Sequence, residues 1–217
     1  MTGKIKLNAA SGGGSVSFQA PSSTGDDRVI TLPTTADGTV LTTTNPKAGN
    51  VIQVVSTNVD STSSIALTTQ YSYYEITPIS TTITTAAANS KILISAGIGG
   101  EANHEDYNLA FRCGRVIGGS LSYILKGADA SSRTAALAMG NTGYYADDQN
   151  STTAYNSFAN MLDSPSQSAG TAITYKFFVS SLGGNSATYF LNRTVSDADD
   201  ASKERLFSYL TLMEVAA

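Results

Sequence analysis

Ile173-Thr174-Tyr175-Lys176-Phe177-Phe178-Val179 sets Ile173, Tyr175, Phe177 and Val179 on one parity, with Thr174 and Lys176 on the other. Successive side chains of an extended chain point to opposite faces, so this stretch reads as a strand with one face in a core. The same period recurs on either side of it. Tyr107, Leu109, Phe111 and Cys113 share a parity opposite Asn108 and Arg112, and Leu121, Tyr123 and Leu125 share one opposite Ser120, Ser122 and Lys126. Lys91–Ala96 alternates, with Ile92, Ile94 and Ile98 on one face. Val51–Val55, Tyr71–Thr77 (stopped by Pro78), Ala187 to Leu191 and Arg205–Val215 complete the set. Eight or nine short strands between residues 48 and 217, punctuated by Gly, Asn and Ser, predict an all-β antiparallel sandwich or jelly roll. Thr84–Ala88 and Ala135–Met139 are Ala-rich but too short to predict helices of any weight.

The final strand is apolar on both parities: Leu206, Leu210 and Leu212 on one, Phe207, Tyr209, Met213 and Val215 on the other. An antiparallel sandwich ordinarily wets one face of each sheet. The second apolar face therefore calls for a cover, either a long loop of the same chain or a neighbouring subunit, and cyclic homo-oligomers supply such covers. Residues 1–47 carry a similar shortage. Ile5 with Leu7, Val16 with Phe18, and Ile30 with Leu32 are apolar pairs at strand spacing, separated by Ser11-Gly12-Gly13-Gly14-Ser15 and by Pro21–Asp27. Two buried side chains per strand do not offset the chain entropy of such a segment. It reads as an N-terminal intertwined β segment completed by copies of itself or by another protein, ahead of a head domain over 48–217. A flexible polar leader is the alternative.

Composition narrows the functional classes. Of 217 residues, 28 are Ser and 27 are Thr, and charged residues are 14%, well under the roughly 25% of an average domain. The net charge of -4 is unlike the basic footprint of a nucleic-acid binder, and no apolar run approaches the ~20 residues of a membrane helix. Met1–Leu7 lacks the apolar stretch of a signal peptide. A single Cys113 excludes an intrachain disulfide, and a single His104 excludes a multi-histidine zinc site. No catalytic residue, cofactor or metal is expected, nor is binding to nucleic acid or insertion into membrane.

Gly14-Ser15-Val16-Ser17-Phe18-Gln19-Ala20-Pro21, followed by Ile30-Thr31-Leu32-Pro33 and Ala36-Asp37-Gly38-Thr39-Val40-Leu41, resembles a segment common in bacteriophage tail-fibre and virion proteins. Met161-Leu162-Asp163-Ser164-Pro165, Thr174-Tyr175-Lys176, Asn192-Arg193-Thr194 and Ser208–Val215 are similar to C-terminal β-domains of marine and cyanophage-type structural proteins. More loosely, the head resembles the trimeric jelly rolls of the tumour necrosis factor and complement globular-head type. The resemblance implies a homotrimeric virion protein, attached to another virion protein by its N-terminal segment and pointing its head outward. On that reading Ile5, Leu7, Val16, Phe18, Ile30, Leu32, Phe207, Tyr209 and Met213 are the subunit-interface residues. The tail or the capsid would serve as its place. A fibre or spike adhering to a host-surface glycan is the expected role, with a capsid-bound fibre, knob or decoration protein lacking a receptor as the alternative.

Residues 127–156 form the longest stretch without strand alternation, and long loops on a rigid sandwich commonly carry recognition. Aromatic faces stack on sugar C–H groups while carboxylates and amides bond hydroxyls. Tyr144, Tyr145, Asp147, Asp148, Gln149 and Tyr155 are accordingly the candidate glycan surface, the alternative being that these tyrosines pack against the sandwich or the subunit interface. Glu101–Asp106 and Asp197–Asp200 gather carboxylates, but both read as solvated turns, the latter lacking the Gly and terminal Glu of a calcium loop. A glycosidase pair of Asp163 and Glu101 has nothing in the sequence to bring it together. Cys113 reads as a small buried hydrophobe.

Overall fold

The computed structural model describes residues 4–19, 22–23, 25, 46–103, 109–140, 153–183 and 186–217. The chain divides into two compact units, Met1–Val40 and Leu41–Ala217. In the first, β1 (Lys4–Asn8) and β2 (Ser15–Gln19) pair with each other as an antiparallel hairpin within the chain. In the second lie β3 (Val51–Val59), β4 (Ser63–Leu67), β5 (Tyr74–Thr84), β6 (Lys91–Ala102), β7 (Leu109–Ile117), β8 (Ser120–Ile124), β9 (Ala138–Gly140), β10 (Ala154–Asp163), β11 (Ala172–Ser181), β12 (Ala187–Leu191) and β13 (Ser208–Val215). No helix occurs among the described residues.

Eight of these strands define the topology. In chain order they are β3, β5, β6, β7, β8, β10, β11 and β13. The first pairs with the last, the second with the seventh, the third with the sixth and the fourth with the fifth, all antiparallel. Those are the pairings of one long hairpin rolled across a sandwich, which is a jelly roll. The result is two facing sheets, β3-β13-β6-β10 and β5-β11-β7-β8. β12 and β4 extend the first sheet beyond the end of β13, and β9 extends the second beside β8. The β7–β8 connection is Gly118-Gly119, with φ of +56° and +82°. Two successive positive φ values are the geometry of a tight hairpin turn, which glycine adopts at no steric cost.

The alternation read from sequence forms the core. Ile92, Ile94, Ile98, Leu210 and Leu212 from one sheet meet Phe111, Cys113, Ile173, Tyr175, Phe177 and Val179 from the other, all fully buried. Each such large side chain contributes about 1.5–3 kcal/mol on burial. The Phe111 ring meets Phe158 and Tyr189 edge-on, at 5.6 and 6.0 Å between centroids. Several polar groups in the core are paired, whereas the buried Tyr189 hydroxyl has no hydrogen-bond partner among the described residues. Asp163 of β10 accepts from Arg115 Nη1 of β7 at 2.9 Å and from the Tyr175 hydroxyl of β11 at 2.8 Å, tying the two sheets together. Burial first, then the Asp163 charge, raises the Tyr175 phenol and pushes the Cys113 thiol up to about 12.

Several expectations need correction. Pro78 does not end its strand, because β5 runs through it from Tyr74 to Thr84. Among the described strands β5 has only β11 as a ladder partner, and the register shifts between Ser80 and Glu75, so the missing proline N–H falls at an edge and a bulge. Residues 127–156 are not strand-free: β9 lies within them and β10 begins at Ala154. β10 escaped the alternation because a bulge between Phe158 and Met161, with Asn160 at φ +57°, inverts its parity midway. β8 presents Leu121 and Tyr123 outward, opposite Val116 and Gly114, while Ile124 packs on the core. Glu101 is not on a solvated turn; it lies buried in β6 and accepts from the Val195 N–H at 2.6 Å. The final strand begins at Ser208, and Arg205 lies outside it, in an isolated β-bridge with Arg193.

Candidate functional site

The outer face of the β5-β11-β7-β8 sheet carries a cationic cleft. The sequence places Arg112 on the outward parity of β7, directly across from Phe178 of β11. Its guanidinium lies 4.0 Å from the ring centre of Tyr73 and 4.8 Å from that of Tyr123. Tyr123 in turn meets Phe178 edge-on at 5.3 Å. Arg112 Nε donates to the Ala135 carbonyl at 2.7 Å, so the loop after β8 is bound to the same side chain. Together Tyr71, Tyr73, Arg112, Ser131, Ser132, Arg133 and Thr134 line an open cleft of about 430 Å³. Tyr71 at φ +64° and Ser131 at φ +55° are both in the left-handed region, which costs a non-glycine residue energy and which surrounding structure must hold. Burial raises the Tyr73 phenol, against the pull of the Arg112 charge. The Tyr73 hydroxyl is itself buried beside the Arg112 guanidinium, with no other hydrogen-bond partner among the described residues.

Two apolar faces are also uncovered. In the hairpin, Ile5 stands opposite Phe18 and Leu7 opposite Val16. Directly opposed residues share a face, so all four lie together, with Lys6, Asn8, Ser15 and Ser17 on the other side. Each of the four is at least half exposed, from 50% at Phe18 to 67% at Val16. On the outer face of the other sheet, Val54, Met213, Leu93 and Leu162 fall in one cross-strand row over β3, β13, β6 and β10. Three strand spacings of about 4.8 Å make the row roughly 14 Å long. Val54 and Leu162 at its ends are exposed, and Met213 and Leu93 between them are partly buried.

Of the interface residues expected from sequence, Ile5, Leu7, Val16 and Phe18 thus share one exposed face. Phe207 is half exposed, and Tyr209 and Met213 lie partly buried on the outward parity of β13. Ile30 and Leu32 lie outside the described residues. So do Tyr144, Tyr145, Asp147, Asp148 and Gln149 of the candidate glycan surface, and His104. Tyr155 is described: it sits half exposed on β10 and leans over Gly97 and Gly99 of β6. The sequence does not mark the cleft residues: Arg112 shows only an outward strand position, and Ser131–Thr134 belongs to a long segment whose tyrosines lie further along the chain.

Asp163 pairs with Ile92, nine residues along β6 from Glu101, so roughly 30 Å at about 3.3 Å per residue separates the two carboxylates. That is far beyond any glycosidase pair. Asp197 pairs with Arg205 at 2.6 Å and Asp200 accepts from the Ser202 N–H at 2.8 Å, consistent with a polar turn. No group of three metal-binding side chains occurs among the described residues.

No protein-family model and no curated protein sequence matches this chain. Solved structures of infectious bursal disease virus are similar to it. A structure of the Gx strain is 15% identical over 94% of this chain and 47% of that one, with a TM-score of 0.37. The crystal structure of the VP2 subviral particle is 13% identical over 93% and 51%, with a TM-score of 0.39. The T13 viral particle is 14% identical over 88% and 40%, with a TM-score of 0.40. The chain spans about half the length of the solved chains it matches.

Proposed function

We propose that this protein is a structural component of a bacteriophage particle, assembled as a homotrimer, displaying its jelly-roll head outward as a fibre or spike that adheres to a host-surface glycan. The observation that carries the reading is the hairpin of β1 and β2, whose Ile5, Leu7, Val16 and Phe18 form one wholly apolar and exposed face. A two-stranded ribbon is at best marginal alone in water, and such a face is stabilised only when something covers it. Copies of the same hairpin wound about one another provide that cover and give the particle a kinetically durable attachment point. The resemblance of residues 14–42 to virion attachment segments supports the same assignment, and the row Val54–Met213–Leu93–Leu162 offers a second self-contact on the head.

The test is the mass of the purified full chain in solution, followed by its place on the particle. A sedimenting species near three times 22.5 kDa, and labelling at the particle surface, are expected. A monomer at micromolar concentration with an intact hairpin overturns the assembly. Labelling on the capsid together with no binding to host cells replaces the adhesin with a decoration protein.

A further inference from the structure

We propose that the cleft between Tyr71, Tyr73, Arg112 and Ser131–Thr134 binds the carboxylate of an acidic sugar, of the uronic or sialic acid class. The inference deepens the adhesive half of the proposed function and rests on it. In a chain of net charge -4, two guanidinium groups line this cleft and no carboxylate among the described residues does. Asp129, earlier in the same loop, is taken up by Lys126.

Arg112 is positioned before any ligand arrives. Stacking between Tyr73 and Tyr123 and the bond from Nε to Ala135 fix the plane of its fork, while the guanidinium makes no ion pair with a carboxylate among the described residues. A planar fork of N–H donors matches a carboxylate bidentately, and little rotamer entropy remains to be lost. Arg133 is exposed and has no ion pair among the described residues, so it can close on the same anion. Sugar recognition also needs hydroxyl partners and an apolar platform. Ser131, Ser132 and Thr134 supply the first, and the ring of Tyr71, 57% exposed at the rim, supplies the second. About 430 Å³ lies within the usual range of small-ligand sites.

The experiment pairs an array of immobilised oligosaccharides with whole-cell binding by the full-length protein. Uronic- and sialic-acid members of the array are set beside their carboxyl-reduced counterparts. Acidic members are expected to be retained, with at least roughly tenfold weaker retention of the reduced ones and of every acidic member by Arg133→Gln. Arg133 is at the surface, so that variant should melt like the parent protein; Arg112→Lys, which keeps the charge and loses the fork, provides the second arm and should weaken retention similarly. Equal retention of reduced and acidic members overturns the site. Cell binding that survives Arg133→Gln unchanged overturns the cleft and leaves the adhesin standing. Binding to neither cells nor array overturns both.

Discussion

The Ser208 hydroxyl donates to Asn192 Oδ1 and accepts from the Gly99 N–H at 3.0 Å, at the point where β6 changes its neighbour from β13 to β12. Asn192 Nδ2 also donates to the carbonyls of Val59 and Ser61 at 2.8 and 3.0 Å, across the β3–β4 corner. One fully buried amide in the left-handed region, at φ +59°, thus closes a seam among four strands. Asn192 also heads an Asn-Arg-Thr acceptor pattern, which burial makes inaccessible.

Asn192→Ala is therefore expected to cost about 2–4 kcal/mol, since it strands buried partners and places alanine at a positive φ. Asn192→Gly retains the backbone freedom and loses only the side-chain bonds, so it should cost roughly 1 kcal/mol less. Urea unfolding measures both. Two variants within about 0.5 kcal/mol of the parent would show that the seam is held by something else.

Glu214 predicts a direction of acid sensitivity. Its carboxylate is buried, accepts from the Ala86 and Ala87 N–H groups at 2.9 and 3.0 Å, and is bonded by Gln53. Burial alone would raise its pKa, but the bonds from Gln53, Ala86, Ser90 and Ala87 together hold it below the usual 4.5. The folded state thus binds this proton less readily than the unfolded state. The stabilisation is complete above pH of about 4.5 and is lost as pH falls through the lower, folded value. Glu214→Gln should destabilise the protein at pH 7 by about 1–3 kcal/mol and flatten the fall in melting temperature between pH 5 and pH 3. An unchanged acid slope in the variant would assign that fall to other carboxylates.

Two glycines of β6 should respond differently to a methyl group. A Cβ on Gly100 would stand 2.2 Å from the Phe190 carbonyl oxygen, which is backbone of the neighbouring strand. On Gly97 it would stand 2.0 Å from the Tyr155 hydroxyl, the tip of a half-exposed side chain, and 2.6 Å from the Tyr209 ring. Backbone in a sheet cannot move aside and a tyrosine tip can, so Gly100→Ala should cost about 3 kcal/mol or more and Gly97→Ala about 1–2. Thermal melts rank the pair. The reverse order would mean that Tyr209 and Tyr155 are more firmly held than their exposure implies.

The jelly roll was legible where one face of a strand is buried and the other wet. Ile173–Val179, Leu109–Cys113 and Ile92–Ile98 kept a clean period of two because they lie in sheet interiors, and their parities matched the core. Legibility failed wherever that condition fails. β10 carries a bulge, β4 has only Ile65 and Leu67 to offer, and β8 turns its apolar parity outward onto Arg112 and Phe178. The cleft was invisible for a related reason. Tyr71 and Arg112 are 41 residues apart and Ser131 lies 19 further on; the bond from Tyr71 N–H to the Ser181 carbonyl of β11, the pairing of β11 with β7, and the return of the loop after β8 to Ala135 assemble them. No local pattern records a meeting of that kind.

The most decisive variants remove the exposed apolar face of the hairpin without touching its ladder. Leu7 and Phe18 sit on opposite strands and are 56% and 50% exposed, so replacing both with serine strands no core atom within the hairpin. If the face is free in solution, the double variant loses nothing and its sedimentation matches the parent. If copies of the chain cover it, each buried side chain contributes about 1.5–3 kcal/mol per subunit to assembly. Losing two in each of three subunits should then convert a trimer at micromolar concentration into monomers that keep the jelly-roll circular dichroism. Met213→Lys, in the middle of the row on the head, tests the second contact separately. It should weaken association if that row is also covered, and leave mass unchanged if the hairpin alone holds the assembly.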